Sequence, residues 1–154
     1  MNLQADLKEC VGSLLSRHVD FLVVGGHAVA FHGYPRLTED VDLFVRPTLE
    51  NGQRIVEALT AFGFASLGLT AADFTAPDRV IQLGRAPNRI DLLTGIQGVG
   101  FDEAWAARVE ADLDGLKVLM IGRDALLRNK RATGRPQDLA DVDRLESGPP
   151  RPGR

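Results

Sequence analysis

A four-residue apolar run, Phe21–Val24, ends abruptly at Gly25-Gly26, and helix-compatible residues follow from His27 to His32. Valine and phenylalanine favour strands, whereas a glycine pair breaks a strand and permits a tight turn. The stretch therefore predicts a buried strand that turns at the two glycines into a short helix. The start of a helix presents free backbone N–H groups and the positive end of the helix dipole, which suits an anion. A Gly-Gly turn on its own is more often only a turn, so the motif needs support from other residues.

Helical and strand-like patterns alternate along the rest of the chain. Apolar residues three or four positions apart mark helices, and short runs of strand formers mark strands. The predicted helices are 2–18, 27–32, one that ends at Gly63, 101–108, 124–131 and 137–145, and the predicted strands are 21–24, 40–45, 80–83, 89–93, 109–113 and 117–121. A short helix is also predicted after Thr70, and Asp114-Gly115 predicts a hairpin turn. This order predicts an α/β (α+β) fold with a mixed twisted sheet flanked by helices.

Composition narrows the class of protein. The 154 residues suit a single domain, predicted over 1–146, with a flexible Pro/Gly/Arg-rich tail over 147–154. No apolar run approaches the roughly 18 residues of a membrane span, and the N-terminus lacks the pattern of a signal peptide, so a cytoplasmic protein is expected. The net charge of −3 does not indicate bulk nucleic-acid binding. Cys10, on the apolar side of the first helix, is predicted to be a buried thiol.

Two aspartates separated by one residue begin the second strand. Asp40 and Asp42 lie in D-V-D-L-F-V, so both carboxylates project from one face of the strand, roughly 7 Å apart. Like charges at that distance repel each other, and a cation relieves the repulsion. Mg²⁺ suits the task because it binds one or two carboxylates together with phosphate oxygens and water. Taken alone, such a pair is more often a solvated strand edge with two ordinary surface acids.

A third acid follows on another strand. Asp91, in R-I-D-L-L, lies between two apolar residues and must face the opposite way from them. It is either exposed to solvent or completes a cluster of three carboxylates, if its strand pairs beside the strand that begins at Asp40.

Basic residues concentrate in 123–135, where five arginines and lysines accompany only Asp124. Such a run usually forms a solvated helix face, and a triphosphate or RNA contact is the alternative. Asp138 and Asp141, together with Arg135, are predicted to form an ion-pair network that fixes the last helix. His27 and His32 are five residues apart and do not form a metal pair on one helix face; packing or a hydrogen bond is expected for both.

The stretch from Gly25 to Val45, G-G-H-A-V-A-F-H-G-Y-P-R-L-T-E-D-V-D-L-F-V, resembles the polymerase-beta-like nucleotidyltransferase superfamily. Its closer resemblance is to small bacterial members of the group that contains abortive-infection toxin–antitoxin nucleotidyltransferases. In these, Gly-Gly-x-Ala is followed by H-G-x-x-R-x-T-x-D-x-D. The segment 129–142, N-K-R-A-T-G-R-P-Q-D-L-A-D-V, is similar to the same group, so the resemblance covers about 20–145. The small antitoxin-type members instead carry Gly-Ser-x-Ala-x-Gly after the first strand, where this chain has Gly25-Gly26-His27-Ala28.

The resemblance implies a minimal nucleotidyltransferase fold and transfer of a nucleotide from ATP or another NTP, with two Mg²⁺ ions. It implies that Asp40, Asp42 and Asp91 are the catalytic and metal-binding residues. The nucleotide would be bound by other residues: Gly25, Gly26, Thr38, Arg36 and Lys130. Arg36 is equally well placed for an ion pair with Glu39 or Asp40.

The sequence leaves the acceptor open. A tRNA end, a protein side chain and a small-molecule hydroxyl are all compatible with it, and a toxin–antitoxin role would add a cognate antitoxin protein as partner. A non-catalytic nucleotide-binding or interaction module with the same fold is the main alternative function, but such a module need not keep three acids. A metal-dependent glycosyltransferase, which also uses Asp-x-Asp, generally needs a longer nucleotide-binding domain.

Overall fold

The structure, a computed structural model, describes residues 5–33, 38, 40–85 and 88–147. Its helices are α1 (Ala5–Ser16), α2 (Gly25–His32), α3 (Leu49–Phe62), α4 (Phe101–Ala106), α5 (Arg123–Thr133) and α6 (Pro136–Ser147). Its strands are β1 (Phe21–Val24), β2 (Val41–Val45), β3 (Val80–Arg85), β4 (Asn88–Leu93), β5 (Val109–Leu113) and β6 (Leu116–Met120). Two short 3₁₀ helices cover Ala65–Leu67 and Ala71–Phe74, the second of them where a short helix was predicted after Thr70. Most of the predicted tail and the predicted loop through Arg36 lie outside the described residues.

The strands form one mixed sheet in the order β3-β4-β2-β1-β6-β5. The central strand β1 runs antiparallel to β2 and parallel to β6, and β2 runs parallel to β4. The outer pairs β3–β4 and β5–β6 are antiparallel hairpins. This arrangement confirms the predicted mixed sheet flanked by helices.

The hairpin of β5 and β6 turns at Asp114-Gly115, as the sequence predicts. Both residues adopt positive φ, 53° and 88° respectively. A two-residue turn of this kind matches the right-handed twist of the flanking strands, and glycine enters it without steric cost.

Helix α3 shows how local sequence sets the ends of an element. The Thr48 side chain accepts a hydrogen bond from the Asn51 backbone N–H at the N-terminus, and Gly63 closes the C-terminus in the left-handed conformation with φ 115°. Its buried residues Ile55 and Leu59 lie one turn apart and belong to the hydrophobic core. The predicted end at Gly63 is confirmed.

Helices cover both faces of the sheet. Helices α1 and α3 share a cavity with Leu83 and Ile90, whereas α5 and α6 share a cleft with Asp91, the neighbour of Ile90 that faces the other way. The ring of Phe44, on the same face as Asp91, contacts Phe101 of α4. The site described below therefore lies on the face covered by α2, α4, α5 and α6.

Cys10 is buried in α1, as predicted from its apolar position. Burial raises the pKa of its thiol to about 12, so the thiolate form is negligible near neutral pH. Among the described residues, none of the helices combines the length and the apolar character that a bilayer crossing requires.

Candidate active site

Three aspartates and one arginine meet on one face of the sheet, where β2 lies beside β4. The parallel register pairs Asp42 with Asp91. Because side chains alternate along a strand, Asp42 and Asp91 share a face of the sheet. Asp40 and Arg89 lie two residues before them, so they are next to each other on that same face. An ion pair of 3.0 Å between Asp40 Oδ2 and Arg89 Nη2 marks this contact. The structure thus brings together the three acids that the sequence analysis singled out.

Arg89 was not singled out from the sequence, yet it joins two of the acids. Its Nε lies 2.9 Å from Asp91 Oδ1, and its Nη2 donates to Asp91 Oδ2 at 3.3 Å as well as pairing with Asp40. Its spacing in the sequence could have revealed it, because a residue two positions before Asp91 on the same strand must share the face of Asp91.

Asp42 has the most crowded of the three carboxyl groups. Burial raises its pKa to about 6, and the nearby Asp91 and Asp40 add to the rise, while the charge of Arg89 offsets part of it. The ionised form of Asp42 is therefore disfavoured in the free protein, and an additional cation beside it would stabilise the carboxylate.

The Gly25-Gly26 turn lies directly against these acids. Gly25 has φ 68°, and a Cβ built on it would overlap Asp42 Oδ2. A Cβ on Gly26 would lie 2.7 Å from Thr38 Oγ1. The glycines are thus needed for close approach of the backbone to Asp42 and Thr38. Helix α2 begins at Gly25, and no side chain caps its N-terminus among the described residues.

Replacing Gly25 by alanine is expected to destabilise the protein by about 2 kcal/mol, because the left-handed conformation costs a non-glycine residue about 1–2 kcal/mol and Asp42 must also move. Urea unfolding of both proteins measures the difference. The control is Gly12→Ala in α1, where a Cβ meets nothing within 4 Å and helix propensity favours alanine by about 1 kcal/mol. A Gly25→Ala protein as stable as wild type would contradict the close-approach explanation.

A cleft of about 1320 Å³ extends from the acids to α5 and α6. Its walls include Gly25, Asp42 and Asp91 on one side and Lys130 and Asp138 on the other. The first glycine of the turn, two of the three acids and the helical segment similar to nucleotidyltransferases therefore border a single space.

Lys130 lines this cleft but is buried, and its ammonium lies 3.1 Å from Asp138 Oδ1 and 3.2 Å from Asp141 Oδ2. Asp138 also accepts hydrogen bonds from Thr133 and Arg135. The ion-pair network predicted for Arg135, Asp138 and Asp141 is present, with Lys130 at its centre. Contact between Lys130 and a nucleotide remains a prediction.

Other residues considered from the sequence have structural contacts. In the basic run, Arg128 pairs with Glu103 and Arg131 pairs with Glu146, so these two arginines have acidic partners. A His32 ring nitrogen lies 2.7 Å from the backbone oxygen of Ile121, in agreement with the expected hydrogen bond. His27 is buried, as expected for a packing residue, and burial lowers its pKa. Arg36 lies outside the described residues.

The acids suit a hard cation, although in the described part of the chain no three Asp, Glu, His or Cys side chains already enclose a metal site. Asp40 Oδ1 is buried and has no hydrogen-bond partner among the described residues. That oxygen and the crowded carboxyl of Asp42 are both groups that a cation would stabilise. Carboxylate oxygens are the protein ligands that Mg²⁺ prefers, so this donor set fits Mg²⁺.

The sequence profile of a family described as nucleotidyl transferase of unknown function (DUF2204) matches residues 3–149. The chain belongs to this nucleotidyltransferase family. Nucleotide transfer, predicted from the Gly-Gly and Asp-x-Asp motifs, is thereby confirmed as its general activity, as is the resemblance to small polymerase-beta-like nucleotidyltransferases. Comparison with curated proteins gives no match.

Solved structures that share the fold of this nucleotidyltransferase include the following two. One is the lincosamide antibiotic adenylyltransferase LnuA with lincomycin bound, at 13% identity and a TM-score of 0.57, with 96% of this chain and 99% of that chain covered. The other is a protein of Thermotoga maritima (TM1012) assigned as a nucleotidyltransferase, at 13% identity and a TM-score of 0.51, with 94% and 91% covered. At these identities the likeness concerns the fold.

Proposed function

We propose that this nucleotidyltransferase uses Mg²⁺ to transfer a nucleotide from an NTP to an acceptor hydroxyl in the cleft beside Asp40, Asp42 and Asp91. The observation that carries the proposal is the pairing of Asp42 with Asp91 directly against the Gly25-Gly26 turn. Carboxylates that suit a cation and a backbone turn that suits phosphates, side by side, are what a metal–triphosphate complex requires.

Each part of the site has a distinct role in the proposal. Asp40 and Asp42 would hold the metal that accompanies the triphosphate, and Asp91 would help to hold a second one. Bound Mg²⁺ supplies positive charge opposite the phosphates and lowers the pKa of the attacking hydroxyl. The backbone at Gly25-Gly26 would cradle phosphate oxygens, and Thr38 would support this turn by its contact with Gly26.

The chemistry is a substitution at the α-phosphorus. The acceptor oxygen forms a bond to the α-phosphorus, the bond from that phosphorus to the bridging oxygen breaks, and pyrophosphate leaves. The hydroxyl proton passes to solvent. The cleft would accelerate the reaction by holding the acceptor oxygen in line with the leaving group.

A small-molecule hydroxyl is the acceptor class that we propose. Cations on the cleft wall already have acidic partners: Arg89 pairs with Asp91, and Lys130 and Arg135 pair with Asp138. The described part of the cleft therefore offers little surplus positive charge for RNA phosphates. LnuA, a chain of similar length, is an antibiotic adenylyltransferase, so a fold of this size can accommodate a small acceptor.

Labelled nucleotides test the proposal. The protein is incubated with Mg²⁺ and each NTP, labelled at the α-phosphate, together with separate small-molecule, RNA and protein fractions of a bacterial extract. We expect label in the small-molecule fraction, equimolar pyrophosphate release and loss of both with EDTA. Label in the RNA or protein fraction would overturn the acceptor class and favour the toxin–antitoxin role implied by the resemblance. Tight NTP binding without pyrophosphate release in any fraction would instead support the non-catalytic alternative.

A further inference from the structure

We propose that Arg89 is an internal counter-ion that keeps free divalent cations out of the acid cluster, so that metal binds tightly only together with the nucleotide. The proposal rests on the proposed function, since it concerns the same three acids. It assigns to Arg89 a role in coupling two ligands, which the motif residues alone do not provide.

Arg89 engages both carboxylate oxygens of Asp91. Its Nε and Nη2 lie 2.9 and 3.3 Å from Asp91 Oδ1 and Oδ2, the forked geometry of a strong arginine–carboxylate pair. Asp91 is itself buried. While this pair is in place, each Asp91 oxygen already accepts from the guanidinium, and the positive charge of Arg89 opposes a second cation beside the same carboxylate.

The same guanidinium also pairs with one carboxylate oxygen of Asp40. Nη2 lies 3.0 Å from Asp40 Oδ2, which leaves Oδ1 of Asp40 as the buried oxygen without a hydrogen-bond partner among the described residues. In the described part of the chain, a cation that enters alone therefore finds carboxylate oxygens without an arginine partner, among the three acids, only at Asp40 Oδ1 and at Asp42. Mg²⁺ usually combines one or two carboxylates with substrate phosphates, so without the phosphates, and beside the charge of Arg89, we expect weak binding.

A bound triphosphate changes the competition between Arg89 and a metal ion for the carboxylates. Arg89 is about 30% exposed and lines the cleft beside the Gly25-Gly26 turn, so its guanidinium borders the space in which we place the phosphates. Guanidinium groups bind phosphate as well as carboxylate. When the metal arrives with the nucleotide, the phosphates supply Arg89 with a replacement partner, and Asp91 becomes free to bind the cation. The two ligands should then strengthen each other's binding.

Mn²⁺ binding, followed by electron paramagnetic resonance, tests the coupling without any turnover. Mn²⁺ is titrated into wild type and Arg89→Gln, with and without a non-hydrolysable ATP analogue. We expect Arg89→Gln to bind Mn²⁺ about tenfold more tightly than wild type in the absence of nucleotide. We also expect the analogue to tighten Mn²⁺ binding to wild type by a much larger factor than to Arg89→Gln.

The control is Arg85→Gln, which removes the same charge from the same hairpin at an exposed residue that lines the cavity on the opposite face. It should leave Mn²⁺ binding nearly unchanged. Arg89→Lys keeps the charge but loses the fork, and it should bind Mn²⁺ with intermediate affinity; it decides the question if Arg89→Gln does not fold.

Asp42→Asn separates the two proposals. If Asp42→Asn loses Mn²⁺ but neither Arg89 variant gains affinity, the counter-ion role is wrong and the metal site stands. If wild type, Asp42→Asn and both Arg89 variants bind Mn²⁺ equally, both proposals are wrong.

Discussion

Asp42→Asn is expected to reduce nucleotide transfer by about a thousandfold or more while the melting temperature stays the same or rises. Transfer should fail because the amide lacks the charge that holds Mg²⁺ on the triphosphate, a contribution of several kcal/mol; about 4 kcal/mol corresponds to a factor of about a thousand in rate. Stability should be kept because burial and the charges of Asp91 and Asp40 already disfavour the ionised Asp42, as its pKa of about 6 indicates.

The measurement is the rate of transfer from an α-labelled NTP, with thermal melting followed on the same preparations. Asp124→Asn is the control, because its carboxylate is 97% exposed at the start of α5; it should change neither quantity noticeably. Transfer at the wild-type rate would refute the metal role of Asp42. A much lower melting temperature would show that Asp42 is instead a structural hydrogen-bond partner.

Lys130→Met is expected to lower the free energy of unfolding by about 3 kcal/mol, because removal of one partner leaves a buried ion pair uncompensated. The methionine keeps most of the side-chain volume but leaves Asp138 and Asp141 facing each other without the ammonium between them. Urea unfolding at neutral pH measures the loss. We expect nucleotide transfer by the folded variant to fall less than in Asp42→Asn.

Arg131→Met is the matched control on the same helix. Its ion pair with Glu146 is about half exposed, and such pairs contribute about 1 kcal/mol or less. Equal losses in the two variants would contradict a specific role for the buried network.

The same network predicts a dependence of stability on pH. Burial raises the pKa of Asp138, but hydrogen bonds from Arg135, Thr133 and Lys130 outweigh it and hold the pKa below its usual value. The charges that face Asp138 are those of Lys130, Arg135 and Asp141. Because the folded pKa is depressed, this stabilisation is complete above the unfolded value of about 3.9 and is lost as the pH falls below it. Asp138→Asn should be less stable at pH 7 and should lose less stability between pH 5 and 3; an equally steep acid loss would contradict this assignment.

Local patterns were sufficient to predict much of the fold. Three turns and helix ends depend on backbone geometry that few residues adopt, so the sequence indicates them directly. They are the glycine pair after Phe21–Val24, the Asp114-Gly115 turn and the end of α3 at Gly63. The pairing of Asp42 with Asp91 was predicted only conditionally, because strand order depends on contacts distant in sequence.

Side-chain partners were harder to predict. Lys130 was assigned to a nucleotide and Asp138 to a structural network, but helix spacing alone does not reveal that α6 places the acid against the ammonium. Strand alternation places Arg89 on the same face as Asp91, but its contact with Asp40 depends on the pairing of β2 with β4, which the sequence does not specify. Ion pairs between elements depend on packing of the whole domain, which short motifs do not specify.

The measurement that tests the central claim most directly is a crystal structure of the protein with Mg²⁺ and a non-hydrolysable ATP analogue. We predict a metal ion bound by Asp40 and Asp42, triphosphate oxygens against the backbone at Gly25-Gly26, and Asp91 released from Arg89. A triphosphate bound elsewhere, with the Gly25-Gly26 turn empty and no metal at Asp42, would contradict the account.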